Sequence, residues 1–350
     1  MRVVKIAALL TLLAFTAGCS LSPQNTGTSD DNTMKIGLSL ATLAEERWQR
    51  DRDYFVQKAK ELGAEVLVQA ANGDETLQNT QAENLITQGV DVLVVVPQNG
   101  KTAATIVEAA HAANVPVIAY DRMILDSEVD LYISFDSVKV GEAMASYAVE
   151  RVPRGTYVII NGSPTDDNAH LVRRGFYNVL QPLIDKGAVK IGFEQWADGW
   201  SPEKALEHME NALTTLHNNV DVVLAANDGT ASGAIQALSE RGLAGKVIVT
   251  GQDAELAALQ RIVEGTQTMT VYKPLKQLAE KAAEVAVALA KGQKPETNST
   301  INNGATEVPA ILLDVIPVDK SNIETTVVAD GFHQEKDICE PTGNDNCLAE

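Results

Sequence analysis

Five apolar runs in the chain each end at a short cluster of polar residues. Short, continuous runs rich in β-branched residues are typical of strands that are buried on both faces of a parallel sheet. In open α/β sheets, ligands bind just beyond the carboxyl ends of the strands. The polar residues that follow the runs therefore predict a hydrogen-bonding site. The runs are 92–96 before Gln98, 117–120 before Asp121, 132–135 before Asp136, 222–226 before Asn227, and 247–251 before Gln252 and Asp253.

From residue 34 onward, strand-like and helix-like segments alternate, which is the sequence pattern of βαβ units. The pattern runs from 34 to 136 and again from 138 to 250 with the same order of parts. We therefore predict an α/β protein with two similar lobes, each built on a doubly wound parallel sheet. Segments 275–291 and 301–316 follow, and periodicity alone assigns neither of them to a lobe.

The N-terminus has the features of an export signal. Two basic residues precede an apolar run at 6–17, which is short for a membrane span and predicts a signal peptide over residues 1–18. The sequence Thr-Ala-Gly-Cys ending at Cys19 resembles the lipobox of bacterial lipoproteins, which implies a lipid on that cysteine. Signal cleavage without lipidation is the alternative. Residues 19–33 are rich in Ser, Thr, Asn, Asp and Gly, so we expect a flexible linker between the lipid anchor and the globular part. The protein is then exported and anchored to the cell envelope, in the periplasm or on the outer face of the cell membrane.

Composition and motifs exclude several classes of function. The 350-residue chain has a formal net charge of −19, whereas nucleic-acid binding needs clustered Lys and Arg. The loop Gly-Ser-Pro at 162–164 lacks the spacing and the lysine of a phosphate-binding loop, and no nucleophile elbow occurs. The five histidines have no metal-like spacing. Aspartates at strand ends could form a glycosidase pair, but many-stranded proteins present such residues by chance. We expect no catalysis, cofactor or metal.

Two cysteines lie in a C-terminal tail at 332–350. In an oxidising compartment, Cys339 and Cys347 are expected to form a disulfide that closes a short loop. A metal site that includes His333 is the alternative.

Binding of a neutral polyhydroxy ligand accounts for the polar residues at the strand ends. Each hydroxyl needs both donors and acceptors; Asp and Asn oxygens accept, while Arg, Lys and the Asn amide donate. Aromatic rings pack on the apolar faces of a sugar ring. Trp48 and Trp200 fall in opposite predicted lobes, so we expect them to hold the ring between them; ordinary core packing is the alternative for each.

Several stretches resemble the pentose- and hexose-binding proteins of ABC importers. They are Glu-Arg-Trp-Gln at 46–49, Tyr-Asp-Arg-Met-Ile at 120–124, Asp-Gly-Trp at 198–200, Gly-Gln-Asp-Ala at 251–254 and the ten residues 265–274. The resemblance extends from about residue 35 to 332. It implies the type I periplasmic-binding-protein fold, in which a three-segment hinge joins two α/β lobes.

The resemblance also implies the residues of a sugar site. Arg47 and Trp48 match the segment that packs on the ring, and Asp121 and Arg122 match a pair that binds its hydroxyls. His170 stands where relatives have Arg or Lys, and Lys273 where ribose binders have Gln. Asp136 is assigned to the site or, alternatively, to a helix cap. The full implied set is Arg47, Trp48, Asp121, Arg122, Asp136, His170, Trp200, Asn227, Asp253 and Lys273.

The implied N-terminal lobe comprises 34–135 and 274–302, and the C-terminal lobe 136–273 and 303–331. The implied ligand is a monosaccharide, with the aldopentose D-xylose expected. The implied partners are the membrane permease and ATPase of an importer, with the receptor acting as a monomer. Three alternatives stay open at this point: a binder of ribose, arabinose or glucose, a sugar receptor for a chemoreceptor or sensor kinase, and an enzyme.

Overall fold

The computed structural model describes residues 33–344 and 347–348. The predicted signal peptide at 1–18, the predicted lipid on Cys19 and the linker up to residue 32 lie outside the described residues. None of the helices among these residues combines the length and the apolar composition of a membrane span.

Strands and helices alternate along most of the described chain. The strands are β1 (Met34–Leu40), β2 (Ala64–Ala70), β3 (Val92–Val96), β4 (Val117–Tyr120), β5 (Leu131–Phe135), β6 (Gly155–Asn161), β7 (Val189–Trp196), β8 (Val222–Ala225), β9 (Ile248–Val249), β10 (Thr270–Tyr272), β11 (Ser299–Asn302), β12 (Glu307–Leu313) and β13 (Ile316–Val318). The helices are α1 (Glu46–Glu61), α2 (Glu75–Thr87), α3 (Ala104–Ala112), α4 (Ser137–Arg151), α5 (Asp167–Asp185), α6 (Pro202–Thr215), α7 (Asp228–Glu240), α8 (Leu256–Glu264), α9 (Leu275–Ala290) and α10 (Glu335–Cys339). Short turns of 3-10 or π helix lie at Asp198–Trp200, Glu324–Val328 and Glu340–Thr342.

Eleven of the thirteen strands of the described residues form two large sheets, each at the centre of one lobe, and β10 and β13 form a short third sheet. The first-lobe sheet has the order β11-β12-β5-β4-β3-β1-β2, with only β11 antiparallel to its neighbour. The second-lobe sheet has the order β7-β6-β8-β9, with every pair parallel. Val271 of β10 extends it through a parallel bridge to Gln252, and β10 pairs antiparallel with β13. The predicted α/β architecture with two parallel-sheet lobes is confirmed.

Both faces of the first-lobe sheet are covered, as continuous apolar runs require. In β3, Val92, Val94 and Val96 pack with the core that includes Phe55 of α1. Leu93 and Val95 point to the opposite face and join the core that contains residues of α3. Because successive side chains of a strand alternate between faces, an unbroken apolar run fits only a strand buried on both sides.

The chain changes lobes at the ends of three elements. It leaves the first-lobe sheet between β5 and α4, returns between β10 and α9, and leaves again between β12 and β13. Helix α9 packs on α1, which places it in the first lobe. The first and third connections meet, because Asp136 N donates to the Leu313 carbonyl at 3.3 Å, and the second lies beside the third, because Tyr272 pairs with Ile316. Connections that run side by side in this way are the arrangement expected of a hinge.

The predicted assignment of 303–331 to the C-terminal lobe is wrong for its first part. Strand β12 is paired in parallel with β5, with Ala310 opposite Tyr132. Asn303 itself donates hydrogen bonds to the carbonyls of Ile124 and Ser127, in the first lobe. Strand β12 lies between β11 and β5 in the first-lobe sheet, so the chain crosses after Leu313 and not near residue 303. An apolar strand has the same pattern in either sheet, which is why periodicity alone could not assign it.

The C-terminal tail packs against both lobes. Cys339 and Cys347 form a disulfide with their Cα atoms 5.5 Å apart. Arg50 of α1 donates to the Phe332 carbonyl at 2.9 Å, and the His333 ring nitrogen Nε2 lies 3.0 Å from the Ala254 carbonyl of the second lobe. The tail thus joins α1 to the segment that follows β9.

Candidate functional site

Polar and aromatic side chains from both lobes meet at the carboxyl ends of the strands. They enclose a small cavity, in which the centre of a water molecule can move through a volume of about 20 Å³. Eight of the ten side chains that the sequence predicted lie in its lining. The lining residues are Glu45, Arg47, Trp48, Asp121, Arg122, Asp166, Asn168, Trp200, Asn227, Gln252, Asp253 and Lys273.

Arg47, in the first turn of α1, is the centre of the charge network. Its guanidinium contacts Asp121 Oδ2 at 2.6 Å, Asp253 Oδ1 at 3.2 Å and Asp51 Oδ2 at 3.4 Å. The guanidinium carbon also lies 4.2 Å from the centre of the Trp48 ring. Only 4% of Arg47 is exposed, and a buried cation is tolerated only when it is paired. The three carboxylates therefore fix its position.

Asp121 follows β4 and stays ionised because cations surround it. Burial acts to raise the pKa of its carboxyl, but the nearby charges of Arg47, Lys273 and Arg122 outweigh burial and lower the pKa below its usual value. Ionised carboxylates accept short, strong hydrogen bonds. Asn168 Nδ2, from the second lobe, donates to the backbone carbonyl of Asp121 at 2.9 Å.

Asp166 connects a first-lobe arginine to a second-lobe tryptophan. Its Oδ2 accepts from Arg122 Nε at 2.8 Å and from Trp200 Nε1 at 3.1 Å. A side chain at Gly162 would overlap the Trp200 indole, so glycine is required where the ring packs on the backbone. Trp48 is held in a similar way, with its Nε1 donating to Glu45 Oε1 at 3.1 Å. Both indoles are thus oriented by a carboxylate.

The carboxylate of Asp253 contacts cations from both lobes. Its Oδ1 lies 3.2 Å from Arg47 Nη1 and 3.1 Å from Lys273 Nζ. The backbone φ is +97° at Asp253, +61° at Asp121 and +58° at Trp200, a region that residues other than glycine seldom adopt. Such backbone strain clusters at functional sites, where the surrounding structure holds it in place.

Asp136 and His170 were also predicted, and neither lines the cavity. Asp136 caps α4, its Oδ1 accepting from the backbone nitrogens of Val138 at 3.1 Å and Lys139 at 3.2 Å. The exposed His170 ring lies 4.5 Å from the ring of Trp196, with Nε2 2.9 Å from the Pro164 carbonyl. We therefore leave both residues out of the candidate site.

Four lining residues are absent from the implied set: Glu45, Asp166, Asn168 and Gln252, although Gln252 directly follows one of the apolar runs. A usable pattern was present for Asp166 and Asn168, which follow β6 at its carboxyl end as Asp121 follows β4. The loop at 162–164 lacks a phosphate-binding motif, but polar residues after a strand end are the same signal that indicated Asp121. Glu45 lies one residue before a stretch that the family resemblance covered, and Gln252 lies inside one.

Two further carboxylates, Asp228 and Glu255, lie close to Asp253 and make the folding stability depend on pH. Burial, reinforced by the Asp253 charge, raises the pKa of Asp228 to about 7; burial and the charges of Asp228 and Asp253 raise the pKa of Glu255 to about 8. The folded protein therefore binds more protons than the unfolded chain between about pH 4 and 8. Stability that these protons provide is lost as the pH rises through the folded pKa values.

We predict that the free energy of unfolding falls by about 2–4 kcal/mol between pH 6 and pH 9, measured by urea denaturation. Glu255→Gln should reduce the fall and increase stability at pH 9, because a half-buried negative charge close to Asp228 and Asp253 is removed. Glu264→Gln, an exposed change on the same helix, is the control and should leave the slope unaltered. Equal slopes in wild type and Glu255→Gln would contradict the assignment.

Comparison with known proteins places the chain in a family. The model of the periplasmic binding protein domain family matches residues 36–294. The chain therefore belongs to the periplasmic binding proteins, a class whose members bind a solute between two α/β lobes, as the sequence resemblance implied.

The more specific relatives are sugar binders. The D-xylose-binding periplasmic protein of Escherichia coli K12 is 54% identical over 305 residues, 87% of this chain and 92% of that protein. The D-xylose-binding periplasmic protein of Haemophilus influenzae is 52% identical over 332 residues, 95% and 98% of the two chains. Among solved structures, a carbohydrate transporter solute-binding protein of Chloroflexus aurantiacus in complex with D-glucose aligns with a TM-score of 0.82 and 32% identity, over 87% of this chain and 98% of that one.

Proposed function

We propose that this protein is the substrate-binding component of an ABC sugar importer, which captures D-xylose between its lobes and delivers it to a permease and its ATPase. The observation that carries the proposal is the composition of the cavity. Carboxylates, cations and amides from both lobes line it together with two tryptophans. Two relatives that are more than 50% identical to this chain bear the name of D-xylose binders.

The donors and acceptors suit a neutral polyol. Four carboxylates and three cations line the cavity, so an ionic ligand of either sign would meet like charges as well as opposite ones. A hydroxyl group accepts from a guanidinium or ammonium while donating to a carboxylate. The two indoles, held by Glu45 and Asp166, offer flat apolar surfaces to the carbon faces of a sugar ring.

Sugar binding would favour the closed arrangement of the lobes. Arg47, Trp48 and Asp121 belong to the first lobe, whereas Trp200 and Asp253 belong to the second. A ligand that contacts both sets binds the closed form more tightly than any open one, and this difference in affinity shifts the equilibrium. The permease would then receive the closed, loaded form. Lipid attachment at Cys19 would hold the receptor close to the membrane.

A thermal-shift panel tests the ligand class. D-Xylose should raise the melting temperature more than D-ribose, L-arabinose, D-glucose or the open-chain xylitol at equal concentration, because only the native state binds ligand. A larger shift with another sugar would replace D-xylose with that sugar. No shift with any of them, at concentrations up to several millimolar, would refute sugar binding.

A further inference from the structure

Gln252 lines the cavity, and only one end of its side-chain amide forms a hydrogen bond within the described residues. The side chain is 3% exposed, and its Nε2 donates to the Ala226 carbonyl at 2.7 Å. Because that carbonyl can only accept, the amide nitrogen must face it, and the orientation of the amide is settled. The other end, Oε1, is buried, and no donor among residues 33–344 and 347–348 forms a hydrogen bond with it.

The backbone on either side of this amide is fixed. The Gln252 carbonyl accepts from Asp228 N at 3.1 Å, and the residue forms a bridge with Val271 of β10. Asn227 and the sequence neighbour Asp253 line the same cavity. Oε1 is therefore an acceptor on a side chain whose amide and backbone are both held in place, in the part of the cavity that the second lobe forms.

Buried acceptors are rarely left without a partner, since the lost hydration is not compensated. The half-buried Gln81 shows the contrast. Its Nε2 likewise donates to a carbonyl, that of Ala70, at 3.1 Å, and its Oε1 has no protein donor among the described residues either. Gln81 lies outside the cavity lining, however, whereas Gln252 lies in it.

We propose that Gln252 Oε1 accepts a hydrogen bond from one particular hydroxyl of the bound sugar and so determines specificity at that carbon. The inference rests on the proposed function and adds to it a residue that selects a hydroxyl. The carboxylate of Asp253 already accepts from Arg47 and Lys273, and charged oxygens accept from several directions. A single neutral acceptor in a fixed position is more selective, because an analogue without the matching hydroxyl leaves it unpaired.

The test is a mutant cycle measured by isothermal titration calorimetry. D-Xylose and the four analogues that each lack one hydroxyl are titrated into wild type and Gln252→Met, a change of similar size that removes the amide. We expect the Kd for D-xylose to rise about tenfold or more in the variant. We expect one analogue to bind both proteins with nearly equal Kd, whereas the other three should show the same loss as D-xylose.

Controls separate this inference from the proposed function. Gln81→Met should leave every Kd unchanged. If Gln252→Met fails to fold, Gln252→Asn, whose shorter side chain cannot reach both partners, is used in the same cycle. Suppose that wild type binds D-xylose, and that Gln252→Met weakens the binding of D-xylose and of all four analogues by one common factor. Gln252 then selects no hydroxyl, and only this inference fails. If wild type does not bind D-xylose at all, the proposed function fails, and the inference fails with it.

Discussion

Asp253→Asn should weaken D-xylose binding by at least about thirtyfold. The change removes one charge from a buried site in which Asp253 faces both Arg47 and Lys273, and truncating one partner of a buried charged pair costs about 2–5 kcal/mol. Asparagine is the informative substitution because it tolerates the positive φ at this position, where alanine would add backbone strain. Calorimetry on the folded variant measures the effect.

Asp136→Ala is the matched control for Asp253→Asn. Asp136 caps α4 and does not line the cavity, so its loss should cost about 1 kcal/mol of stability without changing the Kd for the sugar. Together, the two variants distinguish residues that line the cavity from residues that the sequence implied but that lie outside it. An unchanged Kd in Asp253→Asn would remove Asp253 from the site.

Arg47→Met should lower the free energy of unfolding by about 3–5 kcal/mol at pH 7. The buried guanidinium pairs with Asp51 and Asp121 within the first lobe, and its removal leaves both carboxylates without their closest cation. The loss should be smaller at pH 5, because protonation of the uncompensated carboxylates relieves it. Burial already raises the pKa of Asp51 to about 6, although Arg47 and the Tyr120 hydroxyl act against that rise. Urea denaturation of wild type and variant at pH 7 and at pH 5 measures the loss of stability at each pH.

Arg52→Met, on the same helix, is the comparison for Arg47→Met. Arg52 is partly exposed and pairs only with its neighbour Asp53, at 2.8 Å, among the described ion pairs. An exposed pair contributes little, so this change should cost less than about 1 kcal/mol. If Arg47→Met is no more destabilising than Arg52→Met, the buried network does not stabilise the fold as described.

The architecture was predictable because its physical causes are local. A strand covered on both faces needs a continuous apolar run, as in β3, and a helix of a βαβ unit needs an amphipathic one. Which sheet receives β12 depends on contacts with residues more than 150 positions away, such as Tyr132, and no local pattern records such pairing.

The site was predictable where side chains follow directly from strand ends, and less so elsewhere. Asp121 follows β4 immediately and Asn227 lies two residues after β8, so topology alone brings them to the same edge. Asp166 lies five residues beyond β6, and its role depends on partners in both lobes, Arg122 and Trp200. Asp136 also follows a strand, but its carboxylate binds the first turn of α4 instead of facing the cavity. Position at a strand end therefore indicates candidates, and the direction of each side chain decides among them.

A crystal structure grown with D-xylose tests the central claim most directly. We predict that the sugar ring lies between Trp48 and Trp200, with hydroxyls bonded to Arg47 and Asp121 of one lobe and to Asp253 of the other. A sugar bound elsewhere, or a cleft without sugar in which the two indoles pack only within their own lobes, would contradict the account.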